Sequence, residues 1–160
     1  MTVSVHPPDY RLVHSLPVAP QFVGRGKELE DLRSRWRETT SGVIALVGLG
    51  GAGKTAIAAR FIDELTQADN PARPSGFFVW SFYQEPDVGF FLDEAYRYFG
   101  EPGAAPAKGA GLLHLLRDAL DQHERYLLVL DGLERVQRQE GDDPGSFGQV
   151  EDPLLKGLLT

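Results

Sequence analysis

The sequence predicts an α/β fold with a parallel sheet. Short apolar runs rich in β-branched or aromatic residues alternate with segments in which apolar residues recur every three or four positions. A glycine-rich stretch joins the first of these runs to the segment that follows it. The resulting order of strand, helix, strand, helix, helix and strand is typical of a parallel sheet covered by helices.

Three runs are predicted to be strands, at residues 42–48, 77–83 and 126–131. The first is bounded by glycines and is expected to be buried, and the third is apolar throughout until Asp131. Helices are predicted over 26–38, 53–67, 88–99 and 112–123, with a last one starting within 154–159. The small-residue stretch 100–111 and the acidic stretch 139–152 are predicted to be loops. The aromatic residues of 77–83 and 90–99, together with Trp36, are predicted to lie in the core.

Length and composition indicate one globular domain. The chain has 160 residues, 42% of them hydrophobic and 24% charged. Residues 1–20 contain four prolines and are interpreted as an extended lead-in or linker, and residues 21–160 as one nucleotide-binding core. No apolar run approaches the roughly 20 residues that cross a bilayer, and no signal peptide is recognised. We therefore expect a cytoplasmic protein without a membrane partner.

Charge and residue types exclude several functions. The formal net charge is −7, and the densest basic stretch is interleaved with acidic residues, so no direct nucleic-acid partner is predicted. The absence of cysteine excludes disulfides, thiolate metal sites and a cysteine nucleophile. The four histidines share no metal-ligand spacing, and His114 within a leucine-rich helix is interpreted as a packing or surface residue. No nucleophile-elbow pattern supports a serine hydrolase.

Residues 48–55 fit the phosphate-loop pattern G-x-x-x-x-G-K-[ST] at every fixed position. Glycines let the backbone turn around phosphates, and the helix that follows favours anions at its N-terminus. Lys54 is predicted to reach the β- and γ-phosphates and to assist catalysis, and the Thr55 hydroxyl to ligate Mg²⁺. The predicted ligands are ATP or ADP with Mg²⁺, bound by Gly48, Leu49, Gly50, Gly51, Ala52, Gly53, Lys54, Thr55 and Ala56.

A carboxylate at the end of a neighbouring strand would complete such a site. Asp131 follows the apolar run 127–130 and is predicted to hold Mg²⁺ through a water. Hydrolysis also needs a group that orients or deprotonates the attacking water. The residue after Asp131 is Gly132, and the nearest acid is Glu134, which is the candidate base. An exposed surface role for Glu134 is an equal alternative.

These motifs together resemble the nucleotide-binding domain of STAND ATPases, the class that includes NB-ARC, AP-ATPase and NACHT proteins. Residues 22–29 (FVGRGKEL) resemble the hhGRxxEL motif that opens this domain, and 48–55 resemble the NB-ARC form of the phosphate loop. Residues 78–81 are similar to its aromatic strand, and 127–134 (LLVLDGLE) to its Walker B segment. The resemblance covers about residues 21–135 and implies a P-loop NTPase with three α/β/α layers.

Several expectations rest on this resemblance alone. Val23 and Gly24 would cradle adenine, and Arg25 would lie near the nucleotide. The protein would be a switch that hydrolyses ATP slowly, forms homo-oligomers and contacts a signalling partner. The family places a sensor strand between the two Walker strands, and we expect the fold to be C-terminally incomplete without it. The alternatives are a phosphotransferase (kinase) and a module that binds ADP without hydrolysis.

Overall fold

The computed structural model describes residues 11–12, 14–17, 24–39, 42–67, 69–100, 107–122, 125–137 and 149–160. The chain divides into two compact parts. One comprises Ser75–Thr160 and the N-terminal residues up to His14, and is called the sheet part below. The other comprises Ser15–Pro74, contains the phosphate loop and is called the loop part.

The sheet part is built on three parallel strands: β1 (Arg11–Leu12), β2 (Gly76–Ser81) and β3 (Tyr126–Asp131). Their order is β1-β2-β3, with the longest strand pair running in register from Gly76 opposite Tyr126 to Ser81 opposite Asp131. The predicted parallel sheet is therefore confirmed. The last predicted strand has the expected bounds, while β2 ends at Ser81 because the chain turns there, with the N–H groups of Gln84 and Glu85 both donating to the Ser81 carbonyl at 3.1 Å.

Strand β1 lies within the stretch interpreted as a lead-in, and its pairing with β2 was not predicted from the sequence. The contact continues at His14, whose N–H donates to the Val79 carbonyl at 3.3 Å. The His14 Nδ1 accepts the Ser81 N–H at 3.0 Å, and its ring lies 4.5 Å from that of Trp80. Partial burial holds the pKa of His14 below its ordinary value, although the charge of Glu85 opposes this shift.

Helices α3 (Val88–Phe99), α4 (Gly109–Asp121) and α5 (Pro153–Leu158) complete the sheet part. Asp87 caps α3 by accepting the Phe90 N–H, and Asp152 caps α5 by accepting two backbone N–H groups. Aromatic and leucine side chains from β2 and these helices form one core. Its fully buried members are Phe78, Trp80, Phe82, Phe91, Leu92, Ala95, Leu116 and Leu155.

Helices α1 (Gly26–Glu38) and α2 (Lys54–Thr66) form the loop part. Both follow the predicted apolar stripes, with Leu29 and Leu32 buried on α1 and a larger set buried on α2. Arg33 of α1 donates to both carboxylate oxygens of Glu64 on α2, at 2.9 and 2.8 Å. This two-pronged ion pair fixes the two helices to each other.

The predicted buried strand at 42–48 is wrong. None of its residues belongs to a strand, and no sheet within the described residues includes it. Val43 and Val47 are 66% and 92% exposed. The run has strand-forming residues, but a strand is stable only when a neighbour accepts and donates its backbone hydrogen bonds, and here none of the described strands does so.

The core prediction is wrong for two of the aromatic residues. Tyr83 is 56% and Phe90 47% exposed, since Tyr83 lies in the turn after β2 and Phe90 on the outer side of α3. Trp36 is half-buried and donates to the Ala72 carbonyl at 2.7 Å. His114 lies on the surface and pairs with Asp118, at 3.5 Å.

Some predictions fall outside the described residues. The adenine contact assigned to Val23 is one of them, and two of the four histidines are others. Residues 101–106 and 139–148 of the two predicted loops also lie outside the described part of the chain.

Candidate functional site

The phosphate loop wraps the start of α2. Gly51 and Gly53 have φ angles of 75° and 79°, in the left-handed region that other residues rarely adopt. The Ala52 N–H donates to the Leu49 carbonyl at 3.1 Å, which closes a tight turn, and α2 begins at Lys54. The sequence pattern therefore produces the backbone that it predicts: glycine where the chain bends, and a helix start directly after it.

The side chain of Lys54 folds back over this loop. Its ammonium donates to the carbonyl oxygens of Gly48 at 2.8 Å and Leu49 at 3.1 Å. These contacts are exposed, so water or an anion can compete for the ammonium. A positive charge is thus held beside the glycine-rich backbone, where an anionic group would meet it.

Arg25 lies beside the phosphate loop, and its expected proximity to a nucleotide stays a prediction. It is the residue before α1, and one terminal nitrogen of its guanidinium donates to the Ala52 carbonyl at 2.7 Å. The other terminal nitrogen donates to Glu28 at 2.7 Å. This hydrogen bond from Arg25 holds the pKa of Glu28 below its ordinary value. Gly24 has a φ of 77° and is exposed.

Sequence reasoning did not single out Glu28 as a site residue. Glu28 was noted only as one residue of the motif at 22–29. Its bond to Arg25 gives a structural reason for a glutamate three residues after the arginine. The spacing places both side chains on one face at the start of α1. That spacing is the signal that could have identified Glu28.

The predicted acidic group belongs to the sheet part. Asp131 is the last residue of β3 and is partly buried. The buried Ser81, its register partner on β2, donates to the Asp131 carboxylate at 3.3 Å. Ser81 was not predicted as a site residue, although a polar residue at the end of an otherwise aromatic strand is a detectable signal. It orients the carboxylate at the end of the sheet.

Glu134 lies on a 3₁₀ turn (Leu133–Val136) just after β3 and is exposed. Tyr83 donates its phenolic O–H to the Glu134 carboxylate. This bond, with a smaller effect of burial and of the Glu134 charge, raises the pKa of Tyr83 to about 12. Tyr83 also packs on Gly132, which has a φ of 74°. The candidate base is therefore held in one orientation by a tyrosine that the sequence had assigned to the core.

The donor groups of the loop fit a phosphate chain. An exposed ammonium, glycine-rich backbone and a helix N-terminus are the groups that proteins use to bind phosphate. Within the described residues, no group of three or more histidine, aspartate or glutamate side chains could hold a metal ion by itself. The assignment of Mg²⁺ to Thr55 and Asp131 stays a prediction. No helix among the described residues is both long and apolar enough to cross a membrane.

Comparison with known proteins gives the class. A family model described as an AAA domain matches residues 29–152, which is more than half of the chain. The chain therefore belongs to the AAA domain family, and its fold is an α/β fold of the P-loop NTPase type. Neither the curated proteins nor the solved structures gave a match. Domains of this family generally bind ATP or ADP with Mg²⁺.

Proposed function

We propose that this chain is the Mg-ATP- and ADP-binding module of a STAND-type signalling ATPase, a cytoplasmic switch that hydrolyses ATP slowly. The observation that carries the proposal is the closed phosphate loop, with the Lys54 ammonium on two of its carbonyls and Arg25 on a third. The AAA family match supports nucleotide binding. The STAND assignment depends on the resemblance of residues 22–29 and 127–134. The family match begins at residue 29 and therefore leaves out nearly all of the first of these two motifs.

Each predicted residue has a distinct part in this proposal. Lys54 would exchange its loop carbonyls for β- and γ-phosphate oxygens, while the backbone of 48–56 surrounds the phosphates. Thr55 and Asp131 would hold Mg²⁺, which neutralises phosphate charge when bound. Val23 and Gly24 would contact adenine. Homo-oligomers and a signalling partner belong to the same proposal.

Glu134 would act as the base for the attacking water. The exposed carboxylate is anchored by Tyr83, and a fixed orientation favours proton abstraction. A second candidate function is ADP binding without hydrolysis, which is favoured by Gly132 standing where an acid often follows the aspartate. Its left-handed φ of 74° is poorly suited to a glutamate side chain.

Nucleotide binding is tested with fluorescent ADP and ATP, with and without Mg²⁺, on the wild type and Lys54→Ala. Removing a charge-assisted contact is expected to weaken binding by roughly 10- to 100-fold. Lys156→Ala, which removes the same charge from an exposed position on α5, is the matched control and should bind as the wild type does. A folded wild type that binds neither nucleotide would refute the proposal.

Glu134→Gln separates the two candidate functions. If Glu134 is the base, turnover of ATP falls by about 100-fold or more while ADP affinity is kept, since general bases contribute factors of that size. Unchanged turnover would remove Glu134 from this role. A wild type that binds nucleotide but never releases phosphate would favour the non-hydrolysing module.

A further inference from the structure

The Arg25–Ala52 hydrogen bond fixes the orientation of a peptide unit in the phosphate loop as well as the position of Arg25. Its acceptor is the carbonyl of the peptide unit that joins Ala52 to Gly53. In a trans peptide the C=O and the N–H point in opposite directions, and the described chain contains no cis peptide. Because Arg25 holds this carbonyl on one side, the Gly53 N–H is turned to the opposite side of the unit.

The guanidinium that holds the carbonyl is itself held. Its second terminal nitrogen is bonded to Glu28, in the first turn of α1. The Arg25 carbonyl accepts the Leu29 N–H at 3.1 Å, so the backbone of Arg25 is tied to the first turn of the same helix. A planar guanidinium bonded on both sides cannot swing without breaking one of these bonds.

The frame behind this arrangement is rigid. Helix α1 is fixed to α2 by the Arg33–Glu64 pair, and α2 begins directly after Gly53. The Ala52–Gly53 peptide is therefore held at its carbonyl by Arg25 and at its Gly53 end by the start of α2. Gly53 would otherwise allow this peptide unit to rotate, since glycine has access to most of backbone conformational space.

We propose that Arg25 and Glu28 are positioning residues that hold the Ala52–Gly53 peptide so that the Gly53 N–H faces the phosphate chain of a bound nucleotide. The inference rests on the proposed function, because it requires that the loop binds phosphates. It differs from the expectation that Arg25 contacts the nucleotide itself. Arg25 acts through a backbone N–H, and Glu28 acts through Arg25.

Glu28→Gln gives a test whose sign separates positioning from simple electrostatics. Removing a negative charge near the loop would strengthen anion binding if only charge mattered. If Glu28 instead anchors Arg25, the same variant weakens binding of Mg-ADP and of inorganic pyrophosphate by roughly 3-fold, because a neutral amide oxygen accepts a weaker hydrogen bond from the guanidinium than a carboxylate does. Asp31→Asn removes the same charge from an exposed position on α1 and is the matched control.

Arg25→Ala should weaken binding of Mg-ADP and of pyrophosphate more than Glu28→Gln does, by about 10-fold. This is the effect expected when one N–H no longer points at the anion. Exposed Arg35→Ala on the same helix is its control and should change neither affinity. A loss of ADP affinity without loss of pyrophosphate affinity would show that Arg25 contacts the nucleoside, and would overturn the inference. If Arg25→Ala does not fold by circular dichroism, Glu28→Gln decides the outcome.

The nucleotide-free protein supplies an independent measurement. The ¹⁵N resonance of Gly53 responds to the hydrogen bond on the preceding carbonyl, so Glu28→Gln and Arg25→Ala should both shift it, whereas Asp31→Asn and Arg35→Ala should not. An unchanged Gly53 resonance in both positioning variants would overturn the inference.

If the wild type binds neither ADP nor pyrophosphate, the proposed function fails, and the inference, which requires phosphate binding, fails with it. If the wild type binds both and Glu28→Gln binds them equally well or more tightly, only the inference fails.

Discussion

Strand β2 and the run at 42–48 are similar in sequence but differ in structure. Both are short apolar segments rich in β-branched or aromatic residues. In β2, Phe77 through Trp80 are completely buried, whereas Val43 and Val47 are 66% and 92% exposed. The difference is that β2 has a hydrogen-bonded strand on each side, β1 and β3. Strand propensity is therefore insufficient by itself, and a paired neighbour decides whether such a run becomes a strand.

The largest expected effect is in the core around β2. Phe78 lies among the rings of Trp80, Phe91, Tyr98 and Phe99. Phe78→Ala should lower the free energy of unfolding by about 3–5 kcal/mol, because it removes buried area and leaves a cavity. Urea unfolding measures this loss. Phe90→Ala, at an exposed aromatic position on α3, is the control, and equal losses in the two variants would contradict the assigned burial.

A smaller effect is expected from the two turns that glycine permits. Gly132→Ala imposes a left-handed φ on alanine and places its Cβ 2.7 Å from the Tyr83 ring. The conformational cost is about 1–2 kcal/mol, and displacement of Tyr83 adds to it. Gly51 has a similar φ of 75°, but a Cβ added there would meet no atom within 4 Å. Gly51→Ala should therefore lose only the conformational contribution, about 1–2 kcal/mol. Equal destabilisation by thermal unfolding would mean that Tyr83 does not pack on Gly132.

A pH-dependent contribution to the free energy of unfolding is expected from His14, where β1 pairs with β2. The pKa of His14 is lowered in the fold, so its neutral form is favoured there, and protonation converts its Nδ1 from acceptor to donor toward the Ser81 N–H. Stability from this contact is complete above the ordinary value of 6.5 and is lost as the pH falls from there through the lowered pKa of His14 in the folded protein.

His14→Gln keeps an acceptor but cannot titrate. The wild type should therefore lose more of its free energy of unfolding than this variant when the pH is lowered from above to below 6.5. Urea unfolding at the two pH values gives the comparison. The same pH dependence in both proteins would show that His14 does not hold β1 on the sheet.

The smallest effect is expected in the exposed run. Val47→Thr should change the free energy of unfolding by no more than about 0.5 kcal/mol, as is usual for surface positions. Val79→Thr buries an extra hydroxyl in β2 and should cost roughly 1–3 kcal/mol. A comparable loss at Val47 would mean that the 42–48 run is covered in solution.

The motifs were more predictable than the contacts between them. The bounds of α1 and α3 follow from local periodicity, those of β3 and its terminal carboxylate from a continuous apolar run, and the phosphate loop from a fixed motif. The bond from Tyr83 to Glu134 and that from Ser81 to Asp131 could not be predicted in this way. Each joins residues about 50 positions apart, and no local pattern reports such pairs.

The sequence alone determined the α/β class, the glycine backbone of the phosphate loop and the residue types suited to phosphate. These depend on residues a few positions apart, where sterics and helix geometry act directly. Only the tertiary structure decided that residues 42–48 remain exposed, that Arg11–Leu12 form a strand and that Arg25 holds the Ala52 carbonyl. Each of these depends on hydrogen bonds to distant segments, and a backbone group can satisfy them only where the fold has brought a partner within reach.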